Sequence, residues 1–432
     1  MAFNFVPGSM PGIFRTVVFL GLSYLCYSFM YRYGYRVYVD FVLGQVKKHR
    51  RIADFSLWSE RTLECRLKVR AKANSRLVTA FHLNNSFTTD DVHVHQGFLR
   101  KAKNAIRLTC TDDWIQLGVV TRTSLDLCLK HFDDGLPYIA LASLVRVVSF
   151  TVALHVLFKI DPSEINLDEA RKATEAINRL WIQSKDHQSI LSLYDQRVLN
   201  NALERLLPKE FPCDDRSHPL NLIMPAYETL WRVVLLTFVE VAGRNVNPRT
   251  EKELHDAVEN VPQCFNRRND SEMRALAIAK EGLRLYPPTK RIYREYAVGC
   301  LVAANVELWQ RHPYIWSNPL NFNPMRFHNW HQESAADIPG KDSPKRLSYF
   351  PFGIGRHTCP AAAEFGEKIV TLLVVEFARR FGTKQTGLKL HIGSIAFQQH
   401  RPLPTGRSDM ESWVLELGEK GGIDTTVRLK TS

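Results

Sequence analysis

Paired cysteines are missing from this chain. Its eight cysteines (Cys26, Cys65, Cys110, Cys128, Cys213, Cys264, Cys300, Cys359) are scattered, with no Cys-x-x-Cys among them. Such spacing argues against a zinc site or a disulfide framework and fits a reducing compartment. Internal repeats and low-complexity tracts are also absent, which excludes repeat architectures. Acidic residues are scarce relative to basic ones: 44 Asp and Glu against 57 Lys and Arg give a net charge of +13. The basic residues are spread along the chain and no nucleic-acid motif accompanies them. No nucleic-acid partner is therefore expected. Anionic membrane lipid and an acidic protein partner suit this surface better.

Thr16 to Tyr31 is an uncharged, mostly apolar run. It falls somewhat short of the ~20 residues that span a bilayer, although Ile13 and Phe14 extend it beyond Arg15. Tyr24, Tyr27, Tyr31, Tyr33 and Tyr35 gather toward one end, as at a membrane interface. Arg32, Arg36 and the cluster Lys47-Lys48-His49-Arg50-Arg51 follow. This asymmetry predicts an N-terminal membrane anchor over residues 1–36, with a lumenal amino terminus and the body, residues 37–432, in the cytosol. A cleaved signal peptide would need a basic leading region and a small-x-small site, and neither is present. A buried core helix is the other reading of the run. The second apolar stretch, Leu136 to Phe158, is interrupted by Arg146 and His155 and is expected to be a core helix of the body.

Between Ile139 and Phe381 most segments read as helices separated by Pro, Gly and Asn turns. Strand-like runs are few: Ala297 to Val302, Leu388 to Ile392 and Ser412 to Glu416. The expected class is mainly α with a minor β-sheet, in one domain behind the anchor.

One segment constrains chemistry more than any other: Phe352-Gly-Ile-Gly355-Arg-His357-Thr-Cys359-Pro-Ala361. It puts a single thiol on a glycine-containing loop beside two basic side chains. Gly353 and Gly355 permit a tight bend, and Pro360 suits the first turn of a helix. That helix is predicted over Ala361 to Phe381, with Phe365, Ile369, Leu372, Leu373 and Phe377 as its buried stripe. Its dipole, with Arg356 and His357, favours an anionic sulfur, as a metal-ligating thiolate requires.

This loop resembles the haem-binding loop of the cytochrome P450 family, in particular that of its fungal members. Glu281-Gly-Leu-Arg284 matches the family's Glu-x-x-Arg motif, and Phe322-Asn-Pro324-Met-Arg326-Phe327 its Phe-x-Pro-x-Arg-Phe segment, in the family's order. The resemblance is clear from about Asn85 to Phe381 and implies the cytochrome P450 fold. It implies haem (heme, iron protoporphyrin IX) with Cys359 as axial thiolate and metal ligand, and Phe352 in the haem loop. His357, Arg294 and Arg100 would then hold the haem propionates, with Gln96 on the same face of a helix as Arg100. Glu281, Arg284 and Arg326 would form a buried structural network. Pro225-Ala-Tyr-Glu228-Thr229 stands where the family places an acid followed by an alcohol. Thr229 would thus hydrogen-bond dioxygen and Glu228 would relay protons, unless Thr229 only bonds its own helix.

The function implied is a monooxygenase of the endoplasmic reticulum membrane, single-pass, with its catalytic domain cytosolic. It would oxidise a lipophilic small molecule with electrons from NADPH–cytochrome P450 reductase, in fungal secondary metabolism. A haem-thiolate enzyme that rearranges or dehydrates its substrate, and a shortened, non-catalytic membrane protein, are the alternatives. Three departures from the family pattern are Pro225 in place of Gly or Ala, Ala361 in place of glycine, and little chain before Arg100 for the family's first sheet.

Overall fold

The computed structural model describes residues 12–417, apart from 57–61, 109, 133–134, 187–189, 246, 298–299, 329, 331–342, 363 and 394–400. The chain divides into two units, Met1–His49 and Arg50–Ser432.

The described residues of the first unit lie within one helix, α1 (Gly12–Ala53), which continues past the predicted anchor boundary at residue 36. Phe19, Leu20, Leu22, Tyr24, Leu25, Tyr27, Phe29, Met30, Tyr31, Tyr33, Tyr35, Val37, Tyr38 and Phe41 are all exposed. Between Phe19 and Phe41, ahead of the buried Val42 and Val46, apolar side chains therefore face outward on every side of the helix. That is how a helix surrounded by lipid is built, and a helix packed on one side in a water-soluble core is not.

The second unit is mainly helical. Its early helices are α2 (Leu63–Ala73), α3 (Ser75–Phe81), α4 (Val92–Ala105) and α5 (Thr111–Phe132). Strand β1 (Tyr138–Ala140) leads into α6 (Leu141–Phe158), α7 (Leu167–Gln183), α8 (Leu193–Leu206) and α9 (Leu220–Phe238). A π-helical turn, Val239–Arg244, extends α9. Then come α10 (Pro248–Asn260), α11 (Asp270–Leu285), β2 (Arg291–Ala297), β3 (Cys300–Asn305), α12 (Val306–Gln310), α13 (Pro344–Ser348) and α14 (Phe365–Phe381). Strand β4 (Lys389–His391), α15 (Arg407–Glu411) and β5 (Val414–Glu416) complete the described chain. Among the described residues no strand precedes Tyr138, in line with the short stretch before Arg100.

Strands β1, β5 and β4 form one antiparallel sheet, with Tyr138 and Lys389 both opposite Glu416. Strands β2 and β3 form a hairpin with Arg294 opposite Val302. The run Ala297–Val302, predicted as one strand, instead spans the end of β2 and the start of β3, since Ala297 pairs with Cys300. Gly299, between those two residues in sequence, is the turn signal that the otherwise apolar run carries.

Helices α6 and α9 are long and apolar enough to cross a membrane, yet most of each lies inside the fold. The two polar interruptions of α6 are satisfied there. Arg146 forms a two-pronged ion pair with Glu411, and His155 Nδ1 lies 2.9 Å from the Ile160 carbonyl. Helix α9 packs against α6, α11 and α14 with Ile223, Tyr227, Trp231, Val234 and Phe238 fully buried. Pro225 lies inside α9 and lacks the N–H that the Asn221 carbonyl would normally accept from. The side-chain amide of Asn85 donates to that carbonyl instead, at 2.9 Å in a buried site. The helix therefore tolerates its proline because a loop residue takes over the lost bond.

Candidate active site around Cys359

The Cys359 loop is closed by its own backbone. The Cys359 N–H donates to the Phe352 carbonyl at 2.9 Å, with Gly353 at φ +71° and Gly355 at φ +65°. Those angles favour glycine at both positions. Pro360–Ala362 make a single 3-10 turn, and α14 begins at Phe365 rather than at the predicted Ala361. Ile369, Leu372, Leu373 and Phe377 of its stripe are buried, and Phe365 packs at the core's edge. Phe352 lies against Gly366, where a Cβ would approach its ring to 2.5 Å. On the outer side of the loop, Asp54 Oδ1 accepts from the Arg356 N–H at 3.0 Å.

Burial pushes the Cys359 thiol above its ordinary value, opposed by the Ala361 N–H and the charge of Arg70. Around it stand two imidazoles and two guanidiniums. His357 meets Phe55 and His95 edge-on, with ring centroids 5.4 and 5.9 Å apart. Arg294 lies over the Phe55 ring at 4.2 Å and donates to the carbonyls of Tyr293 and Ala53. Arg70 Nη1 donates to Ser86 Oγ at 3.1 Å, and Ser86 Oγ lies 2.8 Å from His95 Nδ1. Burial and the neighbouring Arg70, Arg294, His95 and Arg66 charges drive the His357 imidazole down to about 3. Burial and Arg70 bring Arg294 down to about 9, with Asp54 opposing.

Helix α4 turns a different face to this group than its sequence suggested. Gln96 and Arg100 share one face, as their spacing requires, but both are exposed. His95, which is buried, is the α4 residue in contact with His357. Arg70, Arg66 and His95 carried no motif. The only available signal was the Arg66–Arg70 spacing, which places both side chains on one face of α2.

On α9, Glu228 is buried and ion-paired to Arg407, with Arg232 Nε at 3.9 Å. Thr229 is half-buried, and its Oγ1 lies 3.5 Å from the Pro225 carbonyl oxygen. That is a long bond to its own helix.

Behind the loop, Glu281 and Arg284 are completely buried and joined by two bonds of 2.7 and 2.8 Å. Glu281 Oε1 also accepts from the Asn323 N–H at 2.8 Å and from Arg326 Nε at 3.3 Å. Arg284 Nη1 reaches the Gln310 carbonyl. The Gln310 side chain donates to the last carbonyls of α11, Leu283 and Arg284, and accepts from the Phe350 N–H. Gln310 thereby ties the charge network to the start of the Cys359 loop.

Residues 220–387 match the family model described as Cytochrome P450, a span that holds α9, the Glu281 network and Cys359. Over that span the chain is similar to the cytochrome P450 family. It is 31% identical over 166 residues to cytochrome P450 CYP82D47 of Panax ginseng, covering 36% of this chain and 43% of that protein. It is 30% identical over 241 residues to strychnine-10-hydroxylase of Strychnos nux-vomica, covering 50% and 44%. The chain thus spans less than half the length of these curated relatives. Both are plant enzymes, and the narrower likeness to fungal members finds no support in them. The crystal structure of CYP175A1 from Thermus thermophilus superposes with a TM-score of 0.50 at 18% identity, over 76% of this chain and 79% of that one. That likeness establishes the cytochrome P450 fold.

The cofactor of a cytochrome P450 is haem held by a cysteine thiolate, and the residues around Cys359 suit it. Both ring nitrogens of His357 and the Nε of Arg294 are buried without a hydrogen-bond partner. Buried donors of this kind carry a substantial desolvation cost until an acceptor is supplied. The carboxylates of a haem would be acceptors of the right charge for these donors, and Cys359 would supply the thiolate ligand.

Proposed function

We propose that this chain is a membrane-anchored haem-thiolate monooxygenase. It inserts one atom of dioxygen into a C–H bond or double bond of a lipophilic small molecule, in secondary metabolism. The observation that carries this reading is the pairing of Cys359, on a braced loop, with buried nitrogens of His357 and Arg294 that lack a hydrogen-bond partner. Relatives named flavonoid-6-hydroxylase, from Ocimum basilicum, and strychnine-10-hydroxylase support the reaction class and the kind of substrate. Haem with a thiolate ligand supplies dioxygen activation, because the thiolate pushes electron density that favours O–O cleavage. The protein's own contribution is to hold Cys359 in place through Phe352, Asp54 and Gln310, and to offer protons from α9.

The outward apolar surface of α1 supports a single-pass anchor in the endoplasmic reticulum membrane, with the body in the cytosol. A chain of net charge +13 suits electrons delivered by an acidic partner, NADPH–cytochrome P450 reductase. The experiment is to express the full chain in microsomes, reduce it, add carbon monoxide and record the haem absorption band. A strongly red-shifted band that disappears in Cys359→Ala is expected. Folded protein with no such band would sink the reading.

One observation favours a second reading, in which the substrate is rearranged or dehydrated without external protons. Glu228 is already engaged by Arg407, and Thr229 leans on Pro225. Under the first reading, the Thr229 hydroxyl turns from its long contact to donate a proton from Oγ1, and the Glu228 carboxylate takes a proton from solvent and passes it on to Thr229. Thr229→Ala then lowers product formed per NADPH consumed by about tenfold or more, with the deficit released as hydrogen peroxide. Unchanged product yield would select the second reading.

A further inference from the structure

We propose that Arg70 on α2, together with Arg294 and His357, binds the haem carboxylates, and that Arg100 takes no part. Ser86 and His95 act as positioning residues for Arg70. This inference rests on the haem reading above and adds residues that no motif in the chain identifies.

Arg70 has a hydroxyl and an aromatic ring for neighbours: Ser86 Oγ at 3.1 Å and the Phe87 ring at 4.2 Å. Arg294 has two backbone carbonyls. Asp54 is the carboxylate that acts on Arg294, and its Oδ1 already accepts from the Arg356 N–H. Among the described residues, neither guanidinium is in an ion pair. Two partly desolvated guanidiniums beside a half-buried imidazole repel one another, and burial removes the water that would screen them. An anion received between them would relieve that uncompensated charge.

Geometry then selects Arg70 over Arg100. Arg70 is linked to His357 through Ser86 and His95, and its charge acts on Cys359. Stacking on Phe87 fixes the plane of its guanidinium, and one bond to Ser86 leaves the rest of its five-donor fork free for a carboxylate. Arg100 is exposed, on the α4 face it shares with the exposed Gln96, whereas His95 is the α4 residue directed at the loop.

The test uses the full chain in its haem-free form, titrated with metal-free protoporphyrin IX and, separately, with its dimethyl ester. Quenching of tryptophan fluorescence reads the affinity, and circular dichroism checks that each variant is folded. Arg70→Ala should weaken binding of the free diacid about ten- to a hundredfold, the value of one or two charge-assisted bonds. It should leave binding of the ester nearly unchanged. Arg70→Lys, which keeps the charge but not the fork, should fall between. His95→Gln, which retains a partner for Ser86, should lose less than His95→Ala. Arg100→Ala should bind like the parent chain.

Equal losses on diacid and ester, an unaffected Arg70→Ala, or a loss in Arg100→Ala as large as that in Arg70→Ala would overturn the proposal. So would a parent chain that does not prefer the diacid. Diacid binding that depends on Arg70, without the red-shifted carbon monoxide band, would uphold this assignment while sinking the thiolate reading.

Discussion

Glu281→Ala is expected to destabilise the protein by about 3–5 kcal/mol, because it strands a buried guanidinium. A domain of ordinary stability has only about 5–15 kcal/mol in total. The change should appear as a large fall in the urea midpoint with little change in slope. Arg284 is the stranded partner: it has no exposed surface, and Glu281 accepts its Nε and one of its Nη groups. Its remaining bonds run to the carbonyls of Gln310, Pro319 and Asn321, which cannot neutralise it. Arg326→Ala should cost less. Its Nη groups reach the carbonyls of Ser317, Asn318 and Asn321 near the surface, and Glu281 keeps Arg284 when it is lost. Haem content should fall along with stability in Glu281→Ala, since Gln310 links Arg284 to Phe350 at the start of the Cys359 loop. A Glu281→Ala midpoint within about 1 kcal/mol of the parent's would show that the network contributes little to the fold.

The same network explains why so much of this molecule was legible in its sequence. Glu281 and Arg284 are three residues apart on one helix, and Cys359 shares its loop with the glycines that shape it. Chemistry written within ten residues survives folding almost unchanged. The stripe of α14 was equally local, a 3.6-residue period that only one face can bury. What depended on distant packing was harder to read. The spacing of Gln96 and Arg100 puts them on a common face but does not say which way that face points, and the fold turns His95 toward the loop instead. Arg70 and Asp54 lie some three hundred residues from the loop they support, and an isolated Arg or Asp has no sequence context to mark it. Glu228 was located as an acid beside an alcohol, but its partner Arg407 comes from a helix near the end of the described chain. Pro225 read as a departure within α9, and the bond that reconciles it with the helix comes from Asn85.

Gly355→Ala should cost about 2–4 kcal/mol and loosen the haem loop, for two separable reasons. A left-handed backbone angle of +65° penalises any residue with a Cβ by roughly 1–2 kcal/mol. The new Cβ would also sit 1.4 Å from Asp54 Oδ1, displacing that carboxylate and breaking its bond to the Arg356 N–H. The overlap belongs to the pair, whereas the backbone penalty belongs to residue 355 alone. Asp54→Ala in the Gly355→Ala background therefore removes the clash and leaves the angle. The double variant should be less destabilised than the sum of the two single ones, by about 1 kcal/mol or more, as expected for residues in direct contact. Urea midpoints of the four proteins measure that difference. Haem retention during gel filtration gives an independent reading at Cys359, and should follow the same order if Asp54 braces the loop. Strict additivity would mean that Asp54 and Gly355 do not meet in solution, and the brace on the outer side of the loop would have to come from elsewhere.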